Sequence, residues 1–293
     1  MIGEAISHGA GTIINAIATG KGAAFGVGLW TKARVELTDE PGKIVGKILS
    51  DPREKPILIE KVVSRVFRAY KLENVYGACV ETDSNIPIAR GLKSSSVAAN
   101  ALVLATIAAL GRRPRDDAWA INLGVSAAVE AGVTITGAFD DASASYFGNV
   151  VVTDNVKRKI VKRFDVEEDL TTLFLVPSGK VYTTKVDVKK LRSLSTPVQA
   201  VYKEALGGRY WNAMTLNGLL YSIALGYELK PALEALKSGA KAAGLSGTGP
   251  SIASVVPLDR IDDVRECWQE YEGEIIETEI NRDKARILRT ADE

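Results

Sequence analysis

The residues best suited to chemistry form a short run, Gly91-Leu92-Lys93-Ser94-Ser95-Ser96, that leads directly into the apolar segment Val97 to Leu110. Glycine lets backbone approach a ligand closely. A helix starting here exposes unpaired N–H groups and the positive end of its dipole, and both suit phosphate oxygens. Serine hydroxyls add donors and can offer an oxygen to magnesium. Arg90 and Lys93 add compensating charge. Serines also cap helices with no ligand present, but three in a row beside a glycine and a lysine exceed what a cap requires. The run is not a Walker-type loop, because the chain has no Gly-Lys-Ser/Thr triplet.

Phosphoryl transfer also needs charge neutralisation and often a base for the acceptor hydroxyl. Glu130 and the adjacent Asp140 and Asp141 are the carboxylates that could serve. Glu130 sits among small apolar residues, where an acid is costly unless it is paired or binds a metal. The alternative is an ordinary helix-end acid before Gly132. If the stretch Thr136 to Ala144 is extended, Asp140 and Asp141 point opposite ways. One would then face the site and the other could cap the following helix. A second glycine loop, Gly244-Leu245-Ser246-Gly247-Thr248-Gly249-Pro250, precedes an apolar strand. Its glycines permit a backbone-lined turn near a ligand. Such turns are common alone, but beside the serine loop this one suggests a site built from both halves of the chain.

The elements that must position these loops follow from hydrophobic spacing. Ser7 to Leu29 is too rich in glycine for a helix and reads as strand and tight loop. Lys32 to Thr38 alternates as a half-buried strand, and Val75 to Thr82 is a further strand candidate. Ile57 to Tyr70 has helical spacing with Ile59, Val62, Val63, Val66 and Phe67 on one face. Val97 to Leu110 is apolar nearly all round, so the helix behind the serines should be central and buried. Asp116 to Ala131 is a second helix, and Asn149 to Thr153 a strand. From about Lys157 the chain becomes more charged, which divides it into residues 1–156 and 157–293. In the second part Thr172 to Pro177, Ser251 to Val256 and Glu274 to Ile280 read as strands. Pro197 to Ala205, Trp211 to Tyr227, Lys230 to Ala243 and Ile261 to Tyr271 read as helices. Strands and helices mix throughout, so the class is α+β or mixed α/β.

Composition excludes whole classes of function. The chain has 293 residues, 46% of them hydrophobic, with 37 basic against 36 acidic residues, enough for a large core and without the basic stripe of a nucleic-acid or membrane-surface protein. No apolar stretch of membrane-spanning length or signal-peptide pattern is expected. Cys79 and Cys267 are far apart and form neither a disulfide framework nor a metal cluster, so a cytoplasmic setting is expected. His8 is the only histidine, which removes most zinc chemistry and any Ser-His or Cys-His mechanism that does not use it. It reads as a polar loop residue.

Three motifs in fixed order resemble the GHMP kinases (galacto-, homoserine, mevalonate and phosphomevalonate kinases). They are Gly9-Ala10-Gly11-Thr12-Ile13-Ile14-Asn15, the stretch Pro87 to Ala98 that contains the serine run, and Gly244 to Ser251. The run Asn15 to Gly26 and the segment Thr136 to Ala142 look like the archaeal shikimate kinase branch. The resemblance implies two halves, the first like the second domain of ribosomal protein S5 and the second a ferredoxin-like α/β sandwich. It implies ATP and Mg2+, a small-molecule acceptor such as shikimate, and a monomer or homodimer. By motif match, Pro87, Ile88, Ala89, Arg90, Gly91, Leu92, Lys93, Ser94, Ser95 and Ser96 would hold the nucleotide phosphates with Gly247, Thr248 and Gly249. Ser95 and Glu130 would hold magnesium. Asp140 would be the base, or Asp141 under an alignment shifted by one residue. Thr19, Lys21, Gly22 and Ser246 are expected around the acceptor. Lys21, the lone charge of its loop, is the first candidate for the acceptor's carboxylate, unless it is a solvated loop tip. The family's middle motif usually has glycine where Lys93 stands. Mevalonate kinases carry a lysine where this chain has Gly11 or Thr12, so the base lacks that partner.

Overall fold

The small, apolar opening residues fold as a long hairpin of β1 (Ile2–Ile14) and β2 (Lys21–Thr38). The computed structural model describes residues 1–87, 91–178 and 188–291, so Ile88, Ala89 and Arg90 of the expected phosphate loop lie outside the described residues. After the hairpin come β3 (Ile44–Ile48), α1 (Ile57–Ala69), β4 (Gly77–Ser84), α2 (Ser94–Ala109), α3 (Asp117–Glu130), α4 (Phe139–Phe147), β5 (Val150–Asp154) and β6 (Lys159–Phe164). The rest of the chain adds β7 (Leu170–Val176), α5 (Val188–Arg192), α6 (Ser195–Leu206), α7 (Tyr210–Leu225) and α8 (Lys230–Lys237). It ends with β8 (Ala242–Leu245), β9 (Ile252–Pro257), α9 (Ile261–Trp268), β10 (Glu274–Glu279) and β11 (Arg286–Arg289).

Two sheets organise the described residues. The larger has the order β11-β1-β2-β4-β3 and forks on β2. Residues Lys21–Phe25 of β2 pair with β5, whereas Thr31–Thr38 pair with β4. The smaller sheet has the antiparallel order β10-β7-β9-β8. The expected division at 156/157 falls in the turn between β5 and β6, and these two strands pair within the larger sheet. The chain returns to that sheet at its end, where β11 pairs with β1. Val27 of β2 also bridges Ile280, just past β10. Phe25 of β2 meets Trp211 of α7 edge-on with ring centroids 5.2 Å apart. Such a contact contributes about 0.5–1.5 kcal/mol beyond its burial.

α2 is the buried centre that its composition demands. Thirteen of its sixteen residues are buried, from Ser96 to Ala109, and it packs against β1, β2, α1 and α3. α1 buries Ile59, Val62, Val63, Val66 and Phe67, the face read from its spacing. Two sequence expectations need correction. The helix expected over Lys230 to Ala243 stops at Lys237, and Ala242–Leu245 is a strand. Gly239, at φ +99°, turns the chain between them. The stretch around Asp140 is also not extended. Both aspartates lie in the first turn of α4, where acids are favoured by the helix dipole.

Candidate active site

The start of α2 forms one wall of a cavity of about 350 Å³. Lys93 precedes the helix at φ +65°. That left-handed conformation costs a non-glycine residue roughly 1 kcal/mol, and strain of this kind gathers at functional sites. It places Lys93, Ser94, Ser95 and Ser96 on the cavity lining together with Asp140 and Asp141. The Lys93 ammonium forms an ion pair with Asp141, its Nζ 3.1 Å from Oδ2, with both side chains largely buried. The same ammonium lies over Gly247, 2.6 Å from where a Cβ there would stand.

The two aspartates have different partners. Asp140 is 3% exposed and its Oδ1 accepts from Asn155 Nδ2 at 2.8 Å. Burial, and then the charge of Asp141, push its carboxyl up to about 7, against the opposing pull of Lys93 and Asn155. Asp141 is tied to Lys93 through one oxygen, while its Oδ1 is buried without a hydrogen-bond partner. A buried orphan oxygen calls for an unseen water, ion or catalytic role. A carboxylate and serine hydroxyls lining one cavity are also the kind of hard oxygen donors that magnesium takes. Among the described residues there is no cluster of three or more His, Cys, Asp or Glu suited to a metal.

The late glycine loop is fastened to both halves. Ser246 Oγ donates to the Gly91 carbonyl at 2.8 Å, Gly247 N–H to Thr12 Oγ1 at 2.9 Å, and Asn15 Nδ2 to the Gly247 carbonyl at 2.9 Å. Gly91 sits at φ +82°, and a Cβ there would meet Ser246 O at 2.7 Å and Gly249 O at 3.0 Å. Gly91→Ala should therefore destabilise the fold by about 1–3 kcal/mol by displacing the loop. Thermal unfolding checks this effect.

Comparison with known proteins now decides the family. The model described as GHMP kinases N terminal domain matches residues 58–149, and the GHMP kinases C terminal model matches 211–273. A protein named shikimate kinase from Methanosarcina mazei is 47% identical over 285 residues, covering 97% of this chain and 96% of its own. Its namesake from Methanococcoides burtonii is 46% identical, with 96% and 97% covered. The chain belongs to the GHMP kinases. In fold, this GHMP kinase is similar to a homoserine kinase from Cytophaga hutchinsonii, with TM-score 0.76, 15% identity, and 98% and 97% of the two chains covered. The two-domain GHMP fold expected from the motifs, an α+β arrangement, is thus the fold of this chain.

Not every expected residue of this GHMP kinase reaches the cavity. Gly91 to Ser96, Gly247, Thr248, Asp140 and Asp141 line it, whereas Pro87 and Gly249 are not among its described lining residues. Glu130 ends α3, is 41% exposed at its side chain, and pairs with Arg65 of α1 instead of facing the serines. The Lys21 ammonium lies over the Tyr202 ring, 5.5 Å from its centroid. Thr19 closes a local turn with Lys21, accepting from its N–H at 3.2 Å. Gly22 backs Asp140, and Ser246 is fully buried with its hydroxyl committed to Gly91. His8 lies in β1, not a loop, and burial holds its pKa below the ordinary value. The sequence reading missed a further wall, where Ile48, Pro56, Leu58, Leu102, Val133 and Ile135 give an apolar surface. Its residues come from β3, the start of α1, α2 and the segment after α3, and no motif marks them. It also missed Asn155, which reads as an ordinary turn residue after β5.

Proposed function

We propose that this chain transfers the γ-phosphoryl group of ATP to the 3-hydroxyl of shikimate, giving shikimate 3-phosphate and ADP. The observation that carries the chemistry is the meeting of Lys93, the serine run and the Asp140-Asp141 pair on one cavity. The acceptor is supported by relatives named shikimate kinase that match nearly the whole chain.

The apolar wall around Ile48, Leu58 and Val133 suits the base of ATP, with the phosphates at the start of α2. Asp140 takes the proton of the 3-hydroxyl as its oxygen attacks phosphorus in line, and the bond to the leaving ADP oxygen breaks. A carboxyl near 7 is well matched to that task at neutral pH. Lys93 and backbone N–H groups of the two glycine loops meet the charge that develops on the transferred oxygens. Ser95 and the unpartnered oxygen of Asp141 are the donors that would hold magnesium, and Glu130 would join them only on leaving Arg65. Held there, magnesium would supply charge neutralisation for the transferred phosphoryl group. Lys21 is one residue before Gly22, which backs Asp140, and would reach the acceptor's carboxylate by turning from Tyr202. Among the described residues no helix is long and apolar enough to cross a membrane.

ADP release measured in parallel with shikimate, homoserine and mevalonate tests this reading. The expected result is kcat/KM for shikimate at least about 100-fold above the others, the scale on which unpaired polar groups reject an ill-fitting acceptor. Turnover with homoserine alone would refute the acceptor. Tight nucleotide binding without turnover of any would mark a non-catalytic sensor.

A further inference from the structure

Asp140 rests in a socket that none of the sequence motifs marks. Asn155, 5% exposed, donates its Nδ2 to Asp140 Oδ1 at 2.8 Å. Its own Oδ1 accepts from Thr153 Oγ1 at 2.6 Å, and its backbone N–H donates to the Gly20 carbonyl at 2.8 Å. The Thr153 carbonyl in turn accepts from the Tyr202 hydroxyl at 3.1 Å, so α6 braces the assembly from the second half of the chain. Across from Asn155, Asp140 Oδ2 lies against Gly22 of β2, 2.3 Å from where a Cβ would stand. The Asn155 amide therefore has one orientation that satisfies both ends. Its oxygen meets a hydroxyl donor, and its nitrogen meets a carboxylate that, when ionised, can only accept.

We propose that Asn155 is a positioning residue for phosphoryl transfer, holding one oxygen of Asp140 so that the carboxylate is presented to the acceptor hydroxyl, with Thr153 fixing the amide. The inference rests on the reading of Asp140 as the base. A buried amide serving only as packing would not need its donor spent on this carboxylate. Here the donor goes to the one acid that also faces Asp141 on its own helix and Lys93 from the start of α2, with Tyr221 of α7 nearby. Losing the 2.8 Å bond frees the carboxylate to turn away from the presented geometry.

The test compares Asn155→Leu, Thr153→Val, Asp140→Asn and the double variants with Asp140→Asn in the full chain. For each, kcat and KM for shikimate, ADP affinity and thermal unfolding are measured. Asn155→Leu should lower kcat about 30-fold or more while KM and ADP affinity stay within about threefold. Thr153→Val should lower kcat in the same way by less. Added to Asp140→Asn, neither should cost much further turnover, because changes acting through one carboxylate do not add. A merely structural role would lower the unfolding temperature and add its effect to that of Asp140→Asn. Parental turnover in folded Asn155→Leu, or an additive double variant, would overturn the proposal. If that variant does not fold, the near-isosteric Thr153→Val decides, and parental turnover or additivity there overturns it equally. Parental turnover in Asp140→Asn removes the base itself and the positioning role with it. An inactive Asp140→Asn beside an unaltered Asn155→Leu defeats the positioning role alone.

Discussion

Asp140→Asn is expected to lose about 10³-fold in kcat while ADP affinity stays within about threefold, because a positioned base contributes roughly 10²–10⁴-fold and the proposed nucleotide contacts lie elsewhere, at the serine run. The same substitution should stabilise the protein at alkaline pH. The folded-state carboxyl stands near 7 against 3.8 for its ordinary value, so between these the folded state binds more protons than the unfolded one. Stability contributed by this group is therefore greatest at low pH and is lost as pH rises from about 4 to about 7. An asparagine never ionises and keeps an oxygen for the Asn155 N–H. The expected gain is about 3 °C or more in Tm at pH 8, shrinking towards zero near pH 4. Loss of turnover with unchanged Tm at pH 8 would mean that Asp140 ionises without strain, with Asn155 and Lys93 compensating its burial in full. Parental turnover would move the proton transfer to Asp141 or away from any side chain. Catalytic strain held at the expense of stability is a common pattern in enzyme sites.

How much of this site could be read from the sequence depended on whether a residue's role is local. The helix start at the serine run is legible because an all-apolar segment follows the serines, and α2 begins at Ser94. The buried face of α1 is legible for the same reason, as its spacing alone fixes it. The GHMP family followed from three motifs, each continuous in the chain. What escaped is made by distant contacts. The helix carrying Asp140 and Asp141 is not marked by local preference, because aspartate, serine and the aromatic residues that make up most of it are weak helix formers. Tertiary packing against α2 and β2 decides it instead. Asn155 looks like any polar residue after a strand, and its partner Asp140 is fifteen residues earlier. Glu130 is ambiguous for the opposite reason, since an acid among alanines suits a metal ligand and a helix-end acid alike. The alanines bury themselves on the far side of α3, and the carboxylate meets Arg65 of α1 in a half-exposed ion pair. Neither outcome is encoded within a window of ten residues.

The wall behind Asp140 carries the other large effect. Gly22 was expected to touch the acceptor, yet in the folded chain it is the floor on which the Asp140 carboxylate rests. A methyl group at position 22 would stand 2.3 Å from Asp140 Oδ2 and 2.6 Å from Cγ, distances real Cβ atoms do not show. Gly22 has an ordinary strand conformation, paired with Thr153 of β5, so alanine strains no backbone dihedral and the whole consequence falls on the contact. β2 is held on both sides by β1 and β5 and cannot retreat, so the carboxylate must move. Moving it breaks the 2.8 Å bond from Asn155 and carries it away from the acceptor hydroxyl. A displacement near 1 Å at a reacting group costs about 10²-fold. Gly22→Ala should therefore lower kcat by about that factor and Tm by several degrees, with ADP affinity little changed. Because the base is displaced but not deleted, its residual activity should exceed that of Asp140→Asn. The double variant should be no slower than Asp140→Asn alone, since two changes acting through one carboxylate do not add. An additive double variant would show that Gly22 also contacts the acceptor directly.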